Sequence, residues 1–176
     1  MNSRNSGPRS IDHPVDRAEG TSSIANSSTK NGSVDTRASV AERVFVDTNV
    51  VIYACDRGAG DRRVRAREVL APLLRERRAV ISTQVLQEFF AAITRKLHVP
   101  AEQARRYVEK WRRIDVVVVR PEIVLGAIDL HRLHTVSFWD ALVIKSAAVA
   151  GCGRVLSEDL NHRQVIDGVT IENPFR

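Results

Sequence analysis

The chain has 176 residues, 43% of them apolar, which is enough for one folded domain with a sizeable core. It contains no run of about 18 apolar residues, so a membrane-spanning helix is excluded. Its two cysteines exclude a disulfide framework and a cysteine-based zinc site, and they favour a reducing compartment. The 27 basic residues outnumber the 21 acidic ones, and the formal net charge of +6 suggests a polyanionic partner.

The start of the chain differs in composition from the rest. Its first 40 residues include nine serines, four asparagines and no aromatic residue, and the apolar residues are scattered singly. Such a segment cannot bury enough surface to offset the entropy lost on ordering. It also lacks the apolar core of a signal peptide. We therefore predict a disordered N-terminal tail over residues 1–41 and a folded domain over residues 42–176.

Short apolar runs alternate with helical patterns from residue 42 onward. In chain order the pattern predicts a strand at 44–46, helices at 49–54 and 61–78, a strand at 79–81, helices at 83–97 and 100–113, a strand at 116–119, helices at 121–133 and 137–150, and strands at 154–156 and 169–171. Four consecutive valines at 116–119 indicate a strand that is buried on both faces. This alternation predicts an α/β fold with a mainly parallel sheet.

Two aspartates occupy positions where such a sheet places ligands, and a third opens a helix that is expected to be buried. Asp47 directly follows the first strand, and Asp159 follows the strand at 154–156. Ligands of parallel sheets bind outside the carboxyl ends of the strands. Asp140 opens a helix that is apolar on nearly all sides and is therefore expected to be buried. Converging carboxylates repel one another, and a hard divalent cation such as Mg²⁺ or Mn²⁺ relieves that repulsion.

Each acidic residue also has a purely structural interpretation. Asp47 can cap the helix that follows it, and Asp140 fits a capping box that begins at Ser137. Asp159 fits an ordinary turn. Glu88 lies opposite the apolar stripe of its helix, which favours a solvated face unless that face lines a cleft. The stripe consists of Leu86, Phe89, Phe90, Ile93 and Leu97.

Four segments resemble the successive motifs of PIN domains, in the order and at the spacing found in VapC-type toxins of bacterial toxin–antitoxin pairs. They are Val44-Phe45-Val46-Asp47-Thr48-Asn49-Val50, Ile81-Ser82-Thr83-Gln84-Val85-Leu86-Gln87-Glu88-Phe89, Ser137-Phe138-Trp139-Asp140-Ala141-Leu142 and Leu156-Ser157-Glu158-Asp159-Leu160. The resemblance covers about residues 43–176 and implies the three-layer α/β sandwich of the PIN domain.

The resemblance also implies a site and an activity. Asp47, Glu88, Asp140 and Asp159 would form an acidic quartet around Mg²⁺, for which Mn²⁺ can substitute. Asp47 and Asp140 would be the principal metal ligands, while Thr48, Asn49 and Ser137 would orient carboxylates or cap helices. The implied activity is metal-dependent endoribonuclease cleavage in the cytoplasm. Members of the family commonly form homodimers and are held inactive by a cognate antitoxin, here a VapB-like one.

Two other functions stay open at this point. A HAD-like phosphatase also has an aspartate after its first strand, but it normally has a second aspartate where this chain has Asn49. A catalytically silent PIN-like module would bind RNA without cutting it, although all four acids are present. Two basic clusters either contact RNA phosphates or form solvated helix faces. They are Arg62, Arg63, Arg65 and Arg67, and Arg105, Arg106, Lys110, Arg112 and Arg113.

Overall fold

A computed structural model describes residues 42–176. The predicted disordered tail, residues 1–41, lies outside the described residues. The described part contains strands β1 (Val44–Val46), β2 (Ala79–Ser82), β3 (Asp115–Val117), β4 (Arg154–Leu156), β5 (Val165–Ile166) and β6 (Val169–Glu172). Its helices are α1 (Thr48–Cys55), α2 (Asp61–Arg75), α3 (Thr83–Arg95), α4 (Ala101–Trp111), α5 (Pro121–Leu133) and α6 (Phe138–Val149).

The strands form one six-stranded sheet in the order β3-β2-β1-β4-β6-β5. All neighbouring strands are parallel except the β5–β6 pair. β1 lies inside the sheet, where Phe45 pairs with Val80 on one side and Val155 on the other. Its three residues, Val-Phe-Val, are fully buried because helices cover both faces of the sheet. The predicted three-layer α/β sandwich is therefore confirmed.

The strand predicted at 116–119 differs from expectation. The observed β3 is the edge strand of the sheet, its residues are exposed or half-buried, and Val118 just beyond it is 56% exposed. The prediction of burial on both faces was wrong because a continuous valine run does not tell an edge strand from a central one.

The short antiparallel strand β5 has no counterpart among the predicted elements. It pairs with β6 across Asp167 and Gly168, which have φ values of 50° and 76°. Two central residues with positive φ are what a tight hairpin turn requires, and Asp-Gly is a preferred sequence for it. The signal was therefore present in the sequence, at the point where two short apolar runs flank this dipeptide.

Helix α3 buries only part of its predicted apolar stripe. Phe89 and Ile93 are fully buried against the sheet, whereas Phe90 is 38% exposed. Leu86 and Phe90 instead line an apolar cavity of about 560 Å³, together with Val108 of α4. Within residues 42–176, no helix is long and apolar enough to cross a membrane.

Candidate functional site

Asp47 stands at the junction of β1 and α1 and is buried. As the N-cap of α1, its Oδ1 accepts a hydrogen bond of 2.6 Å from the Thr48 backbone N–H. Its Oδ2 accepts from the Ser157 hydroxyl at 2.7 Å and from the Asn49 amide at 3.1 Å. The capping interpretation is thus correct for Asp47, yet two further donors also hold its other oxygen.

Burial raises the pKa of Asp47 to about 6, from an ordinary value of 3.8. The hydrogen bonds from Ser157 and Thr48 oppose this rise because they favour the ionised form. The negative charges of Glu88 and Asp159 add to it. The site therefore holds a carboxylate that is costly to ionise and that other carboxylates repel, which is the electrostatic condition that a bound cation relieves.

Asn49 connects the first aspartate to the loop that follows β4. Its Nδ2 donates to Oδ2 of Asp47 at 3.1 Å and to Oδ2 of Asp159 at 3.0 Å. Its Oδ1 accepts a longer bond, 3.4 Å, from the Glu158 backbone N–H. Both carboxylates lie within hydrogen-bond distance of one nitrogen, so Asn49 holds the ends of β1 and β4 in a fixed relation.

Glu88 reaches the same place from helix α3. Its Oε2 accepts from the Thr48 hydroxyl at 2.6 Å, and its Oε1 accepts from the buried Gln84 amide at 2.8 Å. Glu88 also lines a cleft of about 630 Å³ together with Thr48, Asn49 and Asp159. The face of α3 opposite its apolar stripe is therefore a cleft wall, which the helical periodicity alone could not indicate.

Asp140 is not among the residues that line this cleft. It is half-buried at the start of α6, where its Oδ2 accepts from the Ser137 hydroxyl at 2.7 Å and its N–H donates to that hydroxyl oxygen. This is the predicted capping box. The link to the other acids is indirect, since the Gln84 amide that binds Glu88 also donates to the Trp139 carbonyl at 3.3 Å.

The acidic side chains of the site suit a divalent cation by the type of their donor atoms, but less well by their spacing. Asp47, Glu88 and Asp159 offer only oxygen donors, as Mg²⁺ and Mn²⁺ prefer, and their charges act on one another. Among residues 42–176, however, no three carboxylate, histidine or cysteine side chains are placed closely enough to hold one ion together. The oxygen donors of these residues therefore fit a divalent cation. The carboxylate of Asp140, however, is bound by the Ser137 hydroxyl at the start of α6.

Two residues of the site were missed at the sequence level. Ser157 is fully buried, donates to Asp47 and accepts from the Asp159 N–H at 3.2 Å. Its signal was its position directly after a buried strand, at the carboxyl end of the sheet. Gln84 is buried beside Glu88, and its i, i+4 spacing from that residue was the available signal.

Glu158 points away from the carboxylates. It accepts from the Tyr53 hydroxyl at 2.6 Å and forms an ion pair of 2.6 Å with Arg62. Burial, followed by the bond to Glu158, raises the pKa of Tyr53 to about 12. Glu158 therefore fastens the β4 loop to α1 and α2, and Asp159 is the residue of that loop that faces the cleft.

The sheet order and the acids at its carboxyl edge define a class of protein. The family model of the PIN domain matches residues 44–167, and the chain belongs to this family. The match spans β1 to the β5–β6 turn and includes all four predicted acidic residues. Membership in this family supports a nuclease, which is a hydrolase of phosphodiester bonds.

Among solved structures, the chain is similar to VapC20 of Mycobacterium tuberculosis, which is described as a toxin that cleaves the sarcin–ricin loop. The two chains are 21% identical, with a TM-score of 0.48. The alignment covers 64% of this chain and 86% of VapC20. No curated protein sequence matches the chain.

Proposed function

We propose that the protein is a metal-dependent endoribonuclease and the toxin component of a bacterial toxin–antitoxin pair. One observation carries the proposal. Asp47, Glu88 and Asp159 come from three separate segments of the chain, and hydrogen bonds through Thr48 and Asn49 bring them to one edge of the sheet. Burial of Asp47 beside two like charges is costly, and such an arrangement is typical of functional sites.

Asp47 and Asp140 are proposed as the principal ligands of Mg²⁺ or Mn²⁺, and Glu88 and Asp159 complete the site. When bound, the cation supplies Lewis acidity to the phosphodiester and lowers the pKa of water. The side chains around the acids supply orientation. Ser157 and Asn49 fix Asp47, while Thr48 and Gln84 each hold one oxygen of Glu88.

The remaining parts of the proposal concern partners. RNA is the proposed substrate, a VapB-like antitoxin the proposed inhibitor, a homodimer the proposed assembly and the cytoplasm the proposed location. The net charge of +6 supports a polyanionic substrate. The exposed side chains of Leu125, Leu133 and Trp139 supply apolar surface for protein contacts.

The decisive experiment incubates the purified full chain with a structured RNA in Mn²⁺, in Mg²⁺ and in EDTA. We expect cleavage with either metal and none in EDTA. D47N and D140N should each lose more activity than the 10–100-fold that removal of a supporting residue costs. D129N removes an exposed aspartate of α5 and should cleave like the wild type.

All variants pass through the same purification, so that a contaminating nuclease would reveal itself in every sample. Cleavage that survives in EDTA, or in both D47N and D140N, overturns the metal–carboxylate mechanism. RNA binding without cleavage under all conditions favours a catalytically silent module instead.

A further inference from the structure

The cleft beside the acids has a floor made by one face of α3. Glu88, Ala91, Ala92 and Arg95 all line it, at the spacing that places them along one side of a helix. Glu88 and Arg95 are seven residues apart, which is about 10 Å along the helix axis. The side chains of the two alanines between them are small, so the cleft stays open along this face of the helix. The cleft thus runs from an acidic end to a basic end.

The basic end consists of Arg95 and Lys96, both exposed. Within residues 42–176, neither side chain takes part in a hydrogen bond or an ion pair. Arg95 lies in the last turn of α3, where a cation complements the helix dipole. Lys96 is the C-cap of the same helix and complements the dipole in the same way. That role does not explain why both residues line the same cleft as the acids.

Some arginines of the two basic clusters form ion pairs within the protein. Arg62 pairs with Glu158, and on α4 Arg105 and Arg106 pair with Glu109 and Glu102. Arg95 and Lys96 lie outside those clusters and line the same cleft as the acids. They are therefore further candidates for phosphate contacts.

We propose that Arg95 and Lys96 bind the RNA backbone phosphate next to the one that a cation at the acidic side chains would hold, and so position a single strand along α3. This inference rests on the proposed ribonuclease function and names the substrate contacts of the same site. A cleft of about 630 Å³ is the size of a small-molecule pocket, and a nucleotide or two of a single strand would fill it.

The test measures binding of a fluorescent single-stranded oligoribonucleotide to the full chain in EDTA, at several NaCl concentrations. Each phosphate contact contributes about 0.7 to the slope of log affinity against log salt for single strands. The double variant R95Q/K96Q removes both cations from that one phosphate, so it should lower the slope by about 0.7 and weaken binding on the order of tenfold at low salt. In cleavage assays the same variant should raise KM more than it lowers kcat.

R75Q/R132Q is the matched control, because it removes two exposed arginines of α2 and α5 that lie outside the two basic clusters, and it changes the net charge equally. If the salt slope of R95Q/K96Q equals that of this control, the inference is wrong even when the wild type cleaves RNA. A wild type that does not bind the oligonucleotide also overturns it. If binding responds as expected but no metal supports cleavage, the phosphate contacts stand and the proposed catalytic function fails.

Discussion

Asp47 and Asp140 both take part in the capping of a helix, yet their roles and surroundings differ. Asp47 is itself the N-cap of α1, whereas the N-cap of α6 is Ser137 and Asp140 lies three residues later. Asp47 is also bound by Ser157, 110 residues further along the chain, and is buried. Asp140 is half-buried, and its carboxylate is bound by Ser137, three residues away.

This difference shows how a cap becomes part of a site. A capping carboxylate satisfied by neighbours in sequence stabilises one helix. A capping carboxylate that also receives donors from distant segments is tied to the tertiary fold, and its ionisation depends on everything packed around it. Experiments that change the two aspartates one at a time therefore distinguish the stabilisation of a single helix from interactions of the tertiary fold.

The largest expected effect concerns the dependence of stability on pH. Burial raises the pKa of Asp47 to about 6, above its ordinary 3.8, so the folded protein binds this proton more tightly than the unfolded chain does. The free energy of unfolding should therefore fall as pH rises from about 4 to about 6, by about 3 kcal/mol for this group. Above about pH 6 Asp47 is ionised in the folded protein, and the free energy of unfolding is lower by this full amount.

D47N lacks this titration. In EDTA, the unfolding free energy of D47N minus that of the wild type should increase by about 3 kcal/mol between pH 4 and pH 7. Urea denaturation followed by circular dichroism measures it. A constant offset from the substitution itself does not matter, because only the pH-dependent part is interpreted. A difference that does not vary with pH would contradict the burial argument.

The second effect is stabilisation by metal. At a metal concentration of about 100 times Kd, binding to the folded state alone should add about 2.7 kcal/mol to the free energy of unfolding. The wild type should show this rise in Mg²⁺ or Mn²⁺, and D47N should lose it. A sodium chloride series at equal ionic strength controls for salt. An equal rise in wild type and D47N would place any bound metal elsewhere.

The smallest effect compares the two serines that hold the two aspartates. S157A removes a buried hydroxyl that donates to Asp47, and cleavage should fall by about 10–100-fold. S137A removes the cap of α6, which should cost about 1 kcal/mol of stability, with a smaller loss of cleavage. S146A is the control, since it removes a buried hydroxyl that donates to the Leu142 carbonyl. If S157A and S137A lost equal cleavage activity, the proposed difference between the two aspartates would be wrong.

Much of the fold could be predicted because its elements are periodic and self-contained. Helix α5 coincides with the predicted range 121–133, and β4 with 154–156. The errors occur where neighbours decide the outcome. A valine run cannot reveal that β3 lies at a sheet edge, and a two-residue strand such as β5 exists only through its pairing with β6.

The site was less accessible to prediction for the same reason. Asp47 and Asp159 follow strands, so sheet geometry alone suggested that they meet, and Asn49 now connects them. Glu88 could be proposed only from the family resemblance, because helical periodicity describes a face and not what lies opposite it. Ser157 was not singled out because its position after a buried strand does not reveal which carboxylate its hydroxyl would bind.

The hydrogen bond between Ser157 and Asp47 has a consequence for protein synthesis. A ribosome adds about 5–20 residues per second, so Ser157 follows Asp47 by roughly 5–22 s. β1 likewise waits for β4, its neighbour in the sheet, over a similar length of chain. During that interval the nascent polypeptide has Asp47 without the donor that fixes it. The acidic edge of the sheet is therefore completed only late in translation.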